Sequence, residues 1–379
     1  MSNKDFSAQG SPLPSRYAAL AALTFSCVML AGAWQIIAAA QHPGGLDFPR
    51  TWPDFREGRT TGTLEKQLDQ KLPARAALIT VANSVRYILT GGGGEQVRTG
   101  KDGWLFLTDE LRFVEGGSTH LRARGELLSA AARSLDRQGV KLVVALVPDK
   151  ARLYANHLAS GHYPGYNRSR YPDALADLRR RNVIVVDLLK PLTLGAAQGE
   201  VYYRSDTHWN QTGAQVAAEA VALAVRQLGL ELEKTTFSTT NSGGKTERTG
   251  DLVRLMGLDD TPQTLRPRPD IETPVITRQS SIDNGGGLFG DTVVPVVLTG
   301  TSYSLRGNFH GFLQQALSAK VLNTAKDGGG LLQATTAYLT DNAFQSAKPK
   351  ILVWEVPERF LYTKLDDEST WLEKVGLRP

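Results

Sequence analysis

Two short stretches hold the residue types of acyl-transfer chemistry. The first, Tyr203-Arg204-Ser205-Asp206-Thr207-His208-Trp209-Asn210, sets a carboxylate two residues before an imidazole. The second, Gly300-Thr301-Ser302-Tyr303-Ser304, puts a hydroxyl directly after an apolar run. Ser302, His208 and Asp206 are the nucleophile, general base and orienting carboxylate that a Ser-His-Asp site requires. Of the six histidines, at 42, 120, 157, 162, 208 and 310, only His208 has a carboxylate at such close extended spacing. Residues two apart do not face each other on a helix. Asp206 and His208 can therefore cooperate only in a loop or strand, which suits a segment just ahead of the helical run 210–228. Gly300, two before the serine, lets the chain turn sharply and lift the hydroxyl above a sheet, although Ser304 stands where a Gly-x-Ser-x-Gly motif has its second glycine. Backbone N–H groups after such a turn can bind an oxyanion. Blander readings compete. Ser302 could cap a helix; Asp206 could cap the next one and leave His208 on the surface. His310 is a rival base without a partner carboxylate. A metal site needs more ligands than the local sequence supplies, and neither metal nor cofactor is expected.

The elements that would position these groups alternate along the chain. Helical periodicity runs over 126–137, 172–181, 210–228, 309–319 and 331–339. Continuous apolar runs at 141–147 (KLVVALV), 183–189 (VIVVDLL), 291–298 and 351–356 (ILVWEV) read as strands, with short candidates at 104–107 and 321–324. Apolar strands alternating with helices indicate an α/β fold, a parallel sheet covered on both faces. In such a sheet ligands bind beyond the carboxyl ends of the strands. Asp149 and Lys150, Ser302, and Glu358 and Arg359 each follow a strand run. Residues 231–290 interrupt the alternation with a polar Thr/Ser/Gly/Pro-rich insertion, long enough to need short strands of its own or a role as a groove wall. Gly91 to Gly94 reads as a loop.

At 379 residues, 41% apolar and 21% charged, the chain is globular and large enough for one big domain or two smaller ones. The net charge of +5 is scattered, apart from Arg179-Arg180-Arg181 at a helix end, and no nucleic-acid signature is present. Its single cysteine, Cys27, excludes an internal disulfide. Residues 17–40 carry no charge and are long enough to span a bilayer. Lys4 and Arg16 precede them, so the positive-inside rule leaves 1–16 as a cytoplasmic tail and exports the rest. Ala38-Ala39-Ala40 also suits signal cleavage, but the run is longer than a usual signal core. The expected organisation is a tail (1–16), a signal anchor (17–40), a linker and N-terminal extension (41–94) with prolines at 43, 49 and 53, and one catalytic domain (95–379).

At these residues the chain resembles the polysaccharide O-acetyltransferases of the AlgJ/AlgX type, relatives of the SGNH hydrolases. The blocks that carry the resemblance are Lys101-Asp102-Gly103-Trp104-Leu105-Phe106, Val147-Pro148-Asp149-Lys150, the Tyr203–Asn210 stretch, Gly250-Asp251-Leu252, Gly300-Thr301-Ser302-Tyr303-Ser304 and Trp354-Glu355-Val356-Pro357-Glu358-Arg359. The resemblance implies a three-layer, flavodoxin-like fold with Asp206, His208 and Ser302 as the triad. It also accounts for their order, because this family carries Asp-x-His before the serine where ordinary SGNH hydrolases place Asp-x-x-His last. It points to Asn308 as an oxyanion side chain and to Lys150, Tyr303 and Arg359 near the substrate. With few residues after Arg359, no carbohydrate-binding module is expected there, and the resemblance is then to the membrane-anchored, single-domain AlgJ branch. The implied partners are an exported polysaccharide acceptor, alginate or cellulose-like, and a membrane-bound acyltransferase that supplies acetyl groups. The implied location is the bacterial inner membrane, single-pass, with the catalytic domain in the periplasm. Lys245 and Arg254 are candidate contacts to an anionic polymer. The competing functions are an acetylesterase using the same triad and a non-catalytic polysaccharide-binding scaffold.

Overall fold

Strand Lys141–Val147 (β1) is apolar at consecutive positions because both of its faces are covered. Val143, Ala145 and Val147 enter one core, and Leu142, Val144 and Leu146 enter another. In this computed structural model, which describes residues 15–41, 47, 51–71, 75–280, 294–365 and 370–377, β1 is joined by Ile184–Asp187 (β2), Val296–Thr299 (β3), Val321–Asn323 (β4) and Ile351–Pro357 (β5). They form one parallel sheet of order β4-β3-β5-β1-β2. Helices Gly117–Asp136 (α1) and Arg170–Arg180 (α2) bury Leu128, Ala131, Leu135, Ala174 and Leu178 on one face. Helices Gln211–Arg226 (α3) and Phe309–Leu317 (α4) cover the other. The alanine side chains of α3, at 214, 217, 218 and 222, let it lie close to the sheet. The expected three-layer α/β architecture is therefore present.

The chain divides into two compact units, Met1–Ala82 and Asn83–Pro379, and the second holds the sheet. Element boundaries move where side chains intervene. β2 stops at Asp187 rather than running to 189, because the Asp187 carboxylate accepts the Leu189 N–H at 3.0 Å and turns the chain into helix Leu189–Ala196. The expected strand 291–298 is described as β3 only from Val296; residues 291–293 lie outside the described set. The 231–290 insertion does carry short strands of its own. Phe237–Asn241 pairs with Val275–Gln279, and inside that pair Thr246–Arg248 pairs with Asp270–Glu272; residues 281–290 lie outside the described set. The linker and N-terminal extension expected over 41–94 is partly helical, with Trp52–Arg56, Arg59–Lys71 and Arg75–Thr90, Pro53 sitting in the first turn where its missing N–H does no harm. Residues Ser15–Gln41 form one 27-residue helix. Among the described residues, no helix is long and apolar enough to cross a membrane.

Candidate active site

Strand register determines where the serine stands. β5 runs on beyond the point where β3 ends: Thr299 pairs with Trp354, and the chain leaves the sheet at Gly300 beside Glu355. Gly300 has φ +145, and a Cβ there would lie 2.6 Å from the Glu355 carbonyl oxygen, so only glycine fits. The Glu355 side chain, fully buried, accepts the Thr301 N–H at 2.7 Å and the hydroxyls of Thr301 and Ser304. An acid inside the apolar strand ILVWEV thus braces the 3₁₀ turn Ser302–Leu305 that presents the Ser302 hydroxyl. Burial pushes the Glu355 carboxyl up, and the hydrogen bonds from Thr301 and Ser304 oppose that. Glu355→Ala leaves these donors unpaired, so we expect a stability loss of roughly 3 kcal/mol together with a drop in activity. Thermal melting and an acetyl-ester assay on the same preparation check this.

His208 sits in a tight loop. Tyr202 bridges Trp209, Tyr203 N–H donates to the His208 carbonyl, and Asn210 N–H donates to the Val201 carbonyl. Asn210 is the residue that caps α3, its Oδ1 accepting the Gly213 N–H at 3.0 Å. That frees Asp206 from the capping role the sequence left open to it. Instead Asp206 Oδ1 accepts from His208 Nδ1 at 2.6 Å, and His208 Nε2 lies 2.6 Å from Ser302 Oγ. An ionised carboxylate only accepts, so Nδ1 carries the proton and Nε2 is free to accept the serine proton. Asp206 and His208 are buried, at 1% and 5% exposure. Burial raises the Asp206 carboxyl, but the hydrogen bond and charge of His208 and the charge of Arg248 outweigh it and hold the group well below the usual carboxylate range.

Neighbouring segments hold this loop from several sides. Asp270 accepts the Arg204 and Ser205 N–H groups at 2.8 and 3.0 Å. Arg248 Nη2 donates to Asp206 Oδ2 at 3.1 Å, and its guanidinium lies over the Tyr203 ring. Asp251 Oδ1 accepts the Thr207 N–H at 2.7 Å. All three residues come from the insertion, which therefore shapes the Asp206–His208 loop. Nothing in the sequence marked Arg248 or Asp270. Asp251 and Glu355 stood within recognisable blocks, and a charge in an otherwise apolar strand was the one local signal for Glu355.

The remaining expected residues take other places. Lys150 is fully buried, and its Nζ donates to the carbonyls of Arg204 and Asp206 at 2.9 and 2.7 Å, above the rings of Trp104 and Phe106. Instead of meeting substrate, it pins the loop from below, and it accounts for the Trp104–Phe106 block. Burial pushes its amine down to about 8, against the pull of Glu110 and Asp206. Tyr303 is likewise buried: its hydroxyl donates to the Thr207 carbonyl at 2.9 Å, and its ring meets the His208 ring edge-on at 4.8 Å. Arg359 lies over the Tyr303 ring with Nη1 3.7 Å from Asp149, and Glu358 pairs with Arg152. Asn308 donates to Thr277 Oγ1 at 2.8 Å, an anchor between α4 and the insertion rather than an oxyanion donor aimed at Ser302. His310 Nε2 is hydrogen-bonded to the Val321 carbonyl oxygen at 2.7 Å. Lys245 and Arg254 are exposed. Donor atoms of Asp206, His208 and Asp251 lie within 4.8 Å of one another, close enough to share an ion. Both His208 nitrogens are already engaged, however, and a cation would have to displace the Nδ1–Asp206 hydrogen bond.

Residues 97–358 match the family described as SGNH hydrolase-like domain, acetyltransferase AlgX. The protein named probable alginate O-acetylase AlgJ of Pseudomonas putida is 35% identical over 344 residues, covering 89% of this chain and 88% of the relative. Its namesake in Pseudomonas aeruginosa is 34% identical, with 92% and 90% covered. The solved O-acetyltransferase domain of Pseudomonas putida AlgJ superposes with a TM-score of 0.65 at 36% identity, covering 74% of this chain and 98% of that one. The chain belongs to the family of SGNH hydrolase-like domains represented by the acetyltransferase AlgX.

Proposed function

We propose that this protein transfers acetyl groups to hydroxyls of an exported polysaccharide through a seryl-acetyl intermediate on Ser302. The observation that carries this is the continuous Asp206–His208–Ser302 hydrogen-bonded relay, 2.6 Å at each step, at the carboxyl edge of the sheet. Ser302 Oγ attacks the donor's acetyl carbonyl while His208 Nε2 takes its proton, and Asp206 holds the imidazole in the required tautomer and stabilises its charged form. The Ser302 backbone N–H donates to the oxyanion. When the intermediate collapses, His208 returns the proton to the departing group. A sugar hydroxyl then gives its proton to His208, attacks the acetyl-serine, and the serine regains its proton as it leaves. Relatives named alginate O-acetylase support an exopolysaccharide acceptor. A cavity of about 530 Å³ beside the Asp206 loop is walled by Arg204, Arg266 and Arg268 together with the carboxylates Asp102 and Asp270, so its charge is mixed and it does not by itself select an acceptor. Incubating the protein with a soluble acetyl ester and a panel of oligosaccharides should add the mass of one acetyl group to the acceptor. Acetate release with every oligosaccharide unmodified would instead identify an acetylesterase.

We also propose that residues 17–40 anchor the chain in the bacterial inner membrane, with the catalytic domain in the periplasm. The uncharged run, the preceding Lys4 and Arg16, and exposed Leu20, Leu23, Phe25, Val28 and Trp34 on helix Ser15–Gln41 support this. Acetyl-coenzyme A is not available there, so a membrane-bound acyltransferase that passes acetyl groups outward is the fitting partner. Reporter fusions after residue 60 and at the C-terminus should both report export; a mature chain starting at Gln41 would show a cleaved signal instead.

A further inference from the structure

A second carboxylate faces the imidazole. Asp251 Oδ2 lies 3.6 Å from His208 Nδ1, the nitrogen already bonded to Asp206. The main chain at 250–251 is fitted against the triad loop: a Cβ at Gly250 would lie 2.0 Å from the Ser205 carbonyl oxygen, Gly250 N–H donates to Ser205 Oγ, and Asp251 N–H donates to Asp206 Oδ2 at 3.1 Å. Asp251 Oδ1 is held by the Thr207 N–H, which leaves Oδ2 directed at the ring. Its side chain is 30% exposed, so Asp251 stands on the solvent side of a pair whose other members are buried.

We infer that Asp251 is a positioning residue of the acyl-transfer site, a second carboxylate that shares with Asp206 the stabilisation of the imidazolium formed in each half-reaction. The inference rests on the triad reading above. The charges facing His208 make two carboxylates useful there. Arg248 is bonded to Asp206 Oδ2 and offsets part of that charge, and the Lys150 ammonium lies beneath the loop on the Asp206 carbonyl. The other neighbours of the ring, Tyr303 and Ser302, are neutral. With one carboxylate partly neutralised by an arginine, the second restores a net negative charge beside the ring. Asp251 touches neither Ser302 nor the position of the acetyl carbon; it acts through His208.

The test is the pH profile of kcat/KM for acetyl-ester turnover by the full-length detergent-solubilised protein, in wild type, Asp251→Asn, Asp251→Glu and Ser302→Ala. An opposite charge within reach of an imidazole favours its protonated form, less so where the pair is partly exposed. Asp251→Asn keeps the Thr207 bond but removes the charge. It should move the acidic limb down by about 0.5–1 pH unit and lower the plateau about 3–10-fold, a deficit that shrinks toward low pH. Asp251→Glu restores the charge and should restore the limb. If Asp251→Asn is too unstable to assay, the inference stands or falls on Asp251→Ala and Asp251→Glu in the same profile: the limb must follow the charge, not the folded fraction. A limb that stays at the wild-type position in every variant, with Ser302→Ala inactive, overturns the role of Asp251 alone. Full activity in Ser302→Ala overturns the triad reading beneath it.

Discussion

Ser302→Ala is expected to lower acetyl transfer by on the order of 10⁴-fold or more while leaving the melting temperature at the wild-type value. The size follows from the role: without the hydroxyl no acyl-enzyme forms, and removing a triad nucleophile leaves only oxyanion binding and substrate positioning to accelerate the reaction. The unchanged stability follows from the packing. Ser302 Oγ makes its hydrogen bond to His208, whereas the turn around it is held by Glu355 through Thr301 and Ser304 and by the Tyr303 hydroxyl on Thr207. Truncating the side chain at Cβ therefore removes the chemistry without removing a support. Thermal denaturation and acetyl-ester turnover measured on one preparation check both halves. Activity near wild type in a folded variant would remove Ser302 from the mechanism.

Asp206→Asn should cost about 10³–10⁴-fold, less than His208→Ala, because the carboxylate orients the base without taking its proton. The surroundings of Asp206 explain why so conservative a change is severe. All four contacts on its carboxylate are donors: His208 Nδ1 and N–H on Oδ1, and Arg248 Nη2 and Asp251 N–H on Oδ2. A side-chain amide must set its own N–H groups against one of these pairs. Facing the first pair, it forces the imidazole into the wrong tautomer; facing the second, it sets N–H groups against the half-buried Arg248 guanidinium and the Asp251 N–H. The variant should also be less stable than wild type. Kinetics alongside thermal melting test this, and wild-type turnover would show the Asp206–His208 pair to be structural.

The residues that the structure brings together around His208 were legible in the sequence because they lie in contiguous blocks. Asp206 and His208 are two residues apart, and Ser302 follows an apolar strand and a glycine. The parallel sheet was legible because strands covered on both faces are apolar at consecutive positions, as in 141–147 and 351–356. The support was less legible, because it is assembled across the fold. Lys150 follows a strand end and so resembles a ligand-binding residue, yet its ammonium is consumed by two backbone carbonyls of a loop more than fifty positions away in sequence. Asn308 has the residue type of an oxyanion donor, and only the position of Thr277 on a strand of the insertion shows where its amide goes. Arg248, Asp251 and Asp270 sit in a polar segment with little periodicity, where local pattern says nothing of partners. The helix after β2 was hidden because Leu188 and Leu189 continue the strand's apolar run, and the turn comes from Asp187 bonding forward.

The most direct measurement is the mass of the acyl-enzyme. The protein is mixed with an activated acetyl ester, quenched in acid within the first turnover and digested. The account predicts one acetyl group on the peptide containing Ser302, absent from Ser302→Ala and discharged when a polysaccharide acceptor is added before the quench. Turnover that proceeds with no acetyl group on Ser302, or with the label on another residue that survives in Ser302→Ala, would contradict it.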